Sequence, residues 1–365
     1  MKKPDKYKKQ FLINRAKKQM RIRIRSNAKR KAKRIRLIGL PREDIKALNQ
    51  RKKEQEILKR RFASYKHIEA PQCLSMIENA EGSLAFISEL EKSLRQREKV
   101  FVVLKNVEKI ASGAIVVLLS IMIQFKNKGV PFNGDKPKND LARQNLVNSG
   151  FFEKLYLHDG DAYSIKGRSA IFTHADKVVD SKLSDKLIHK VSELIWGQPY
   201  RCTGVQQVYI ELMQNTNNHA SLHGPNEHHW YTTVTYNKEK NKASFSFIDY
   251  GVGIIQSIKK NEKGKFWNAL SRIMNILKPQ SDGDFLRLLL DGSIHKTATG
   301  KYYRGKGLPG VFKAFKDNKI SNLVVITNNA FADCSKDSYK TLSNKFEGTY
   351  IYWELNYNNK KLPLV

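Results

Sequence analysis

Apolar and polar positions follow different periods in successive parts of this chain. Val100–Val107, "VFVVLKNV", is a continuous apolar run ahead of turn residues and predicts a buried strand. Ala111–Phe125, "ASGAIVVLLSIMIQF", is apolar on all sides and predicts a buried helix. Gly129–Gly134, "GVPFNG", reads as a short strand with turn signals, and "DLARQNLVNSGFFEKL" as a helix ending near Gly150. Strand, helix, strand, helix predicts a small parallel sheet covered by helices.

A second unit starts near Ile165. Its pattern predicts a long helix over about Ser181–Trp196 and a second helix around Glu211. Two paired strands follow, Tyr231–Tyr236 and Ala243–Ile248, and then a glycine-rich turn. At about 100° per residue, Val205, Val208, Tyr209 and Leu212 share one face of the Glu211 helix. Glu211, Asn215 and Asn218 form a stripe beside that face, with His219 at its margin. A merely solvated stripe would lie opposite the apolar face, whereas this one borders it, where the wall of a cleft would be. The expected organisation is an arm over residues 1–66, an α/β domain over 67–164 and a second domain over 165–365, so the fold class is α/β and α+β.

Charge sharpens the division. The formal net charge is +33 over 365 residues, and residues 1–66 hold 26 Lys/Arg against 5 Asp/Glu. Within that segment "RIRIR" (Arg21–Arg25) alternates like a strand, and Arg42–Phe62 is richer in helix formers. Like charge in such blocks favours disorder until a polyanion neutralises it. Nucleic acid is the partner expected for residues 1–66. No amphipathic face with Trp or Phe on one side points to a membrane surface, and Ala111–Phe125 is shorter than the roughly 18–20 residues of a membrane span. Cys73, Cys202 and Cys334 form no CxxC pair, and no apolar signal core opens the chain, so a reducing, cytoplasmic setting is expected.

The chemistry-bearing residues are concentrated after residue 200. "FSFIDYGVGI" (Phe245–Ile254) runs an apolar strand into Asp-x-Gly-x-Gly, where a carboxylate accepts hydrogen bonds and glycines let a ligand approach the backbone. "YRGKGLPGVFKAF" (Tyr303–Phe315) is a glycine-rich loop entering a helix, with Pro309 placed to start it and Arg304 and Lys306 adding positive charge. "FEGTYIYWEL" (Phe346–Leu355) takes Gly-Thr into a strand. His219 and His223 stand four apart, near His228 and His229, without an acidic third ligand at convincing spacing for zinc.

The order Glu-x-x-x-Asn, Asp-x-Gly-x-Gly, Gly-x-Gly-x-x-Gly, Gly-Thr resembles the GHKL ATP-binding fold of gyrase-type topoisomerases, mismatch-repair ATPases, sensor histidine kinases and anti-sigma-factor serine kinases. The resemblance covers roughly residues 165–365, and the Asn215…His219 spacing is most similar to the anti-sigma-factor group. It implies ATP and Mg²⁺ as cofactors, an α/β sandwich, and a phosphate acceptor that is either water or a protein hydroxyl. Asn215 would hold Mg²⁺, with Asn218 and His219 beside it, and Asp249 would bind the adenine amino group. Gly251 and Gly253 would shape the adenine pocket. Arg304, Gly305, Lys306, Gly307 and Gly310 would wrap the phosphates, and Thr349 would join the Asp249 network. Glu211 would orient an attacking water, and Ile255–Tyr303 would form a mobile lid.

Residues 70–155 resemble a STAS-type domain through "VFVVLKNVEKIASGAIVVLLSIMIQFKNKGVPFNG" and "LVNSGF". Ala111 stands where phosphorylatable members carry serine, and Ser112 is the remaining hydroxyl there. His189, 22 residues before Glu211, lies too close to it for the usual histidine-kinase phosphoacceptor domain. The resulting expectation is a nucleotide-controlled regulatory switch with slow ATPase activity, a protein partner at the STAS-like domain and a homo-oligomeric assembly. The alternatives are a serine/threonine kinase acting on a separate protein and a nucleic-acid-binding module in which ATP is only structural.

Overall fold

The structure is a computed structural model that describes residues 6–37, 50, 60–156, 170–176, 181–219, 230–260, 279–293 and 307–362. The chain divides into two compact units, Met1–Ser64 and Tyr65–Val365.

The first unit contains α1, Lys6–Leu37, a helix of 32 residues with no acidic residue in its first turn. The Arg21–Arg25 alternation therefore lies in a helix rather than in the expected strand. Lys, Arg, Gln, Met and Ala are all favourable helix formers. An isolated alternating strand would leave its ladder of N–H and C=O groups unpaired, whereas a helix satisfies them internally. Residues 38–49 and 51–59, which hold most of the Arg42–Phe62 segment, lie outside the described residues.

The second unit opens with β1 (Lys66–Glu69), β2 (Cys73–Leu74), α2 (Ala80–Arg95), β3 (Val100–Val103), β4 (Lys109–Ile110), α3 (Ser112–Asn127), β5 (Phe132–Gly134), α4 (Asp140–Asn148) and α5 (Phe151–Tyr156). A parallel three-stranded sheet runs in the order β1-β3-β5, and β2 pairs with β4 in parallel. The helix expected to end near Gly150 is in fact two. Gly150 has a φ of 77°, so the backbone turns there and α5 starts afresh.

The rest comprises β6 (Ala170–Asp176), α6 (Ser181–Trp196), α7 (Thr203–His219), β7 (Trp230–Asn237), β8 (Lys242–Asp249), α8 (Ile254–Lys260), α9 (Asp282–Leu290), α10 (Gly307–Lys316), β9 (Ser321–Asp333) and β10 (Ser338–Asn356). Five strands form one antiparallel sheet in the order β6-β7-β8-β10-β9. The architecture is mixed, with parallel α/β and antiparallel α+β parts.

Period-two alternation along β8 and β10 buries both faces of this sheet. Phe245, Phe247, Ile351, Trp353 and Leu355 pack with α6, α7, α9 and α10 on one face. Ile248, Tyr350, Phe346, Tyr231 and Ile326 pack with α2 and α3 on the other. Each such side chain contributes roughly 1.5–3 kcal/mol when fully buried. The apolar run that fell short of a membrane span is α3, and it is sandwiched between sheets. Among the described residues, no helix is long and apolar enough to cross a membrane.

The corner between α6 and α7 is held by the last described residues. Arg201 and Leu362 exchange backbone hydrogen bonds of 2.8 and 2.9 Å. The Lys361 ammonium lies 4.5, 4.5 and 4.9 Å from the ring centres of Trp196, Tyr200 and Tyr357, a three-sided cation–π contact. The start of α7 is thereby fixed, and α7 carries the polar stripe.

Candidate functional site

Val205, Val208, Tyr209 and Leu212 of α7 are all buried, as the period of the sequence requires. Glu211 and Asn215 are half-buried on the neighbouring stripe. They meet the first turn of α10, which packs along α7. A methyl group built on Gly307 would come within 2.6 Å of the Asn215 amide nitrogen. One on Gly310 would lie 3.9 Å from a Glu211 carboxylate oxygen and 3.5 Å from the Gln207 amide. The two glycines thus let the N-terminal turn of α10 approach the carboxylate and amide of α7. Pro309 sits in that first turn, where a missing N–H removes no helical bond.

Asp249 ends β8 directly opposite Thr349 of β10. The Thr216 hydroxyl, one residue after Asn215, donates to Asp249 Oδ2 over 3.5 Å. Burial pushes the Asp249 carboxyl up to about 7, against the lowering effect of the Thr216 hydroxyl and the Thr349 backbone. One long hydroxyl contact and one backbone bond leave a desolvated carboxyl short of strong donors. Gly251 lies beside it, with only Asp249 Oδ1, 3.5 Å away, near the position of a Cβ.

The turn after Asp249 is held by two residues that the motifs did not single out. The Thr327 hydroxyl accepts from Ile254 N at 2.8 Å and lies 3.4 Å from the Thr349 hydroxyl. Asn328 donates to the Val252 carbonyl at 2.9 Å and accepts from Gln256 N at 3.1 Å. Gly253, with φ of 74°, leaves the space that the Asn328 amide fills. A signal existed, since "TNN" (Thr327–Asn329) interrupts an otherwise apolar strand with polar residues. Asn328 itself takes a positive φ of 54°.

One expectation about this region needs correction. Gly348-Thr349 does not lead into a strand but lies within β10, at an irregularity of its pairing with β9. Of the segment expected as a lid, Ile255–Tyr303, residues 261–278 and 294–303 lie outside the described residues, and both described parts are packed. Ile255 is buried, and α9 places Phe285, Leu286, Leu289 and Leu290 in the core, with Gly283 against the backbone of Lys340. The spacing of those four apolar residues is a helix period, which outweighs the lysines at the start of the segment.

Tyr250 links the site to the opposite face of the sheet. Its hydroxyl lies 2.7 Å from that of Ser120 on α3. Glu91 of α2 acts on it electrostatically, and Glu91 is itself raised to about 8, mainly by burial and then by Glu347, with Arg95 opposing. The start of α3 is close-packed as well, since Gly113 sits against the Tyr350 hydroxyl and Ser112 is half-buried.

Arg304, Gly305 and Lys306, the side chains of Asn218 and His219, and His223, His228 and His229 lie outside the described residues. Among the described residues, no group of three or more His, Cys, Asp or Glu is arranged to hold a metal ion. His189 Nδ1 lies 3.6 Å from Asp185 one turn back on the exposed side of α6. The chain matches no protein-family model and no curated protein.

Proposed function

We propose that the chain is an ATP- and Mg²⁺-binding regulatory switch of the GHKL type, with slow hydrolysis at Glu211. The observation that carries this reading is convergence. Four motifs spread over some 140 residues come together where α7 and α10 cover the sheet: Glu211 and Asn215 lie against Gly310 and Gly307, Asp249 lies beside Gly251 and opposite Thr349, and the Thr216 hydroxyl joins α7 to Asp249.

The residues fit the cofactor pair. The half-buried Asp249 carboxyl, with few strong donors among the described residues, suits the amino group of an adenine ring. The first turn of α10 offers backbone N–H groups for an anion. Mg²⁺ takes one or two protein oxygens and keeps its waters, so the Asn215 amide is a sufficient protein ligand. A carboxylate one helical turn away, at Glu211, is placed to orient a water for attack on a phosphoryl group. When bound, the nucleotide would supply the transferable phosphoryl group.

Regulation follows from position. Tyr250 adjoins the Asp249 end of the site and bonds to α3, so the STAS-like helices on the far face sense how the Asp-x-Gly-x-Gly turn is held. Calorimetric titration of the full chain with ATP tests the reading. Asp249→Asn should weaken affinity at least tenfold, roughly 1.4 kcal/mol, and Asn215→Ala should remove the Mg²⁺ dependence. Unchanged affinity in both variants would overturn it.

A further inference from the structure

Helix α1 is basic on every side. It carries fifteen Lys/Arg and no Asp/Glu in 32 residues. At about 100° per residue, Arg15, Lys17, Lys18, Arg21, Arg23, Arg25 and Lys29 fall in all four quadrants of its circumference. Every described side chain in it (Phe11, residues 14–27 and Lys29) is exposed. Phe11, Met20, Ile22 and Ile24 are 59–65% exposed, and their positions do not gather into a stripe.

Each of these features removes a class of partner. A helix lying on a flat anionic surface, such as a bilayer, needs charge on one side and an apolar face on the other. A coiled-coil partner needs an apolar seam repeating every 3.5 residues. A single strand of nucleic acid needs aromatic rings for its bases, and α1 offers only Tyr7 and Phe11. What remains is a polyanion that surrounds the helix. We propose that α1 binds duplex DNA by lying in the major groove, with phosphates of both strands on either side of it.

The dimensions agree. A helix with its side chains is about 10–12 Å across, and the B-DNA major groove is about 12 Å wide. The deep, narrow major groove of an RNA duplex does not admit it. At about 1.5 Å per residue α1 is roughly 48 Å long, more than one turn of duplex. The groove curves away from a straight rod, so about half of the cations engage phosphates at once. The same phosphates relieve repulsion inside the helix. Lys17, Arg21, Arg25, Lys29 and Lys33 are like charges at successive i,i+4 positions. The helix should therefore gain order on binding.

The proposal is independent of the nucleotide site. Its test is fluorescence anisotropy of the full chain, without nucleotide, on four probes: a DNA duplex, its single strand, an RNA duplex of the same sequence, and anionic phosphatidylserine vesicles. The DNA duplex should bind at least about tenfold more tightly than the other nucleic acids. Its log–log dependence on salt should have a slope of about −6, from some seven phosphate contacts. Methyl green, a major-groove ligand, should compete, and the minor-groove ligand netropsin should not.

Replacing Arg21 and Lys29 by Glu creates i,i+4 pairs with Lys17, Arg25 and Lys33, so the helix is kept while its charge falls by four. That variant should lose about 100-fold in affinity at physiological salt, with unchanged helicity by circular dichroism. Equal or tighter binding to RNA or to the single strand, binding to vesicles in preference to duplex, competition by netropsin alone, or unaltered affinity in the double variant would each overturn the proposal.

Discussion

The Tyr250 hydroxyl lies 2.7 Å from the Ser120 hydroxyl, so the residue after Asp249 is bonded to the helix on the opposite face of the sheet. Ser120 also donates to the Val117 carbonyl at 2.6 Å, and that bond survives if the tyrosine hydroxyl is removed. Tyr250→Phe should therefore cost only about 1 kcal/mol of stability in urea unfolding. Its larger effect should be on communication. In the wild type, a non-hydrolysable ATP analogue should slow amide exchange along Ser112–Asn127. In the variant that protection should vanish while the analogue still binds. Equal protection in both proteins would remove Tyr250 from the coupling route.

Two carboxyls, the buried Glu91 and the half-buried Asp249, set the pH dependence of stability. Among the described residues Glu91 Oε1 is buried with no hydrogen-bond partner, and burial followed by the Glu347 charge raises Glu91 to about 8. Burial raises Asp249 to about 7. Both lie above their unfolded values near 4, so the folded state holds these protons more tightly. Their contribution is present in full below pH 4 and is lost as pH rises through 7 and 8. Between pH 5 and 9 the chain should lose on the order of 5 kcal/mol, read from urea midpoints. Glu91→Gln should flatten that slope and be at least as stable as the wild type at pH 9. A wild type that gains stability over this range would contradict the assignment.

Most of the second unit was legible because its periods are strong. Val205, Val208, Tyr209 and Leu212 lie on one buried face, and the β7 and β8 segments pair within a residue or two of the expected bounds. Other features were hidden for definite reasons. "RIRIR" has the period of a strand, but period alone cannot supply the neighbouring strand that a sheet requires. The lysines after Ser257 hid the apolar period of Phe285–Leu290. Gly348-Thr349 looked like a strand entrance because glycine is rare inside strands, yet the irregular pairing of β10 admits it there. The Thr327 and Asn328 clamp depends on contacts some 70 residues apart, which no local spacing encodes. Motif order named Glu211, Asn215, Asp249 and the glycines, but their meeting is a property of the sheet register and of α10 against α7.

Gly348 is where that register is most exposed to substitution. Its φ is 141°, and a Cβ built there would overlap the Asp249 carbonyl of the neighbouring strand. Gly348→Ala should destabilise the protein by about 2–4 kcal/mol and loosen the Asp249–Thr349 pairing. Gly129 has a φ of 63° with nothing within 4 Å of a Cβ. Gly129→Ala should cost only about 1 kcal/mol, through backbone strain alone. Comparing the two midpoints in thermal unfolding separates close approach from backbone conformation. Similar losses would mean that β10 shifts to make room at Gly348.

Substitution at Glu211 is expected to separate hydrolysis from nucleotide binding. Its carboxylate lies near the Gly310 turn of α10, one helical turn before Asn215. An amide in its place keeps the size and the helix but cannot take a proton. Glu211→Gln should retain ATP affinity within about twofold, while turnover falls by roughly 100-fold or more, the usual scale for loss of a general base. Single-turnover assays with γ-labelled ATP measure both quantities. Wild-type label released as inorganic phosphate, and absent in the variant, identifies water as the acceptor. Label retained on protein would place the chain with the kinases instead. Hydrolysis that survives in Glu211→Gln would show that the water is oriented by another group, and the stripe on α7 would then serve binding alone.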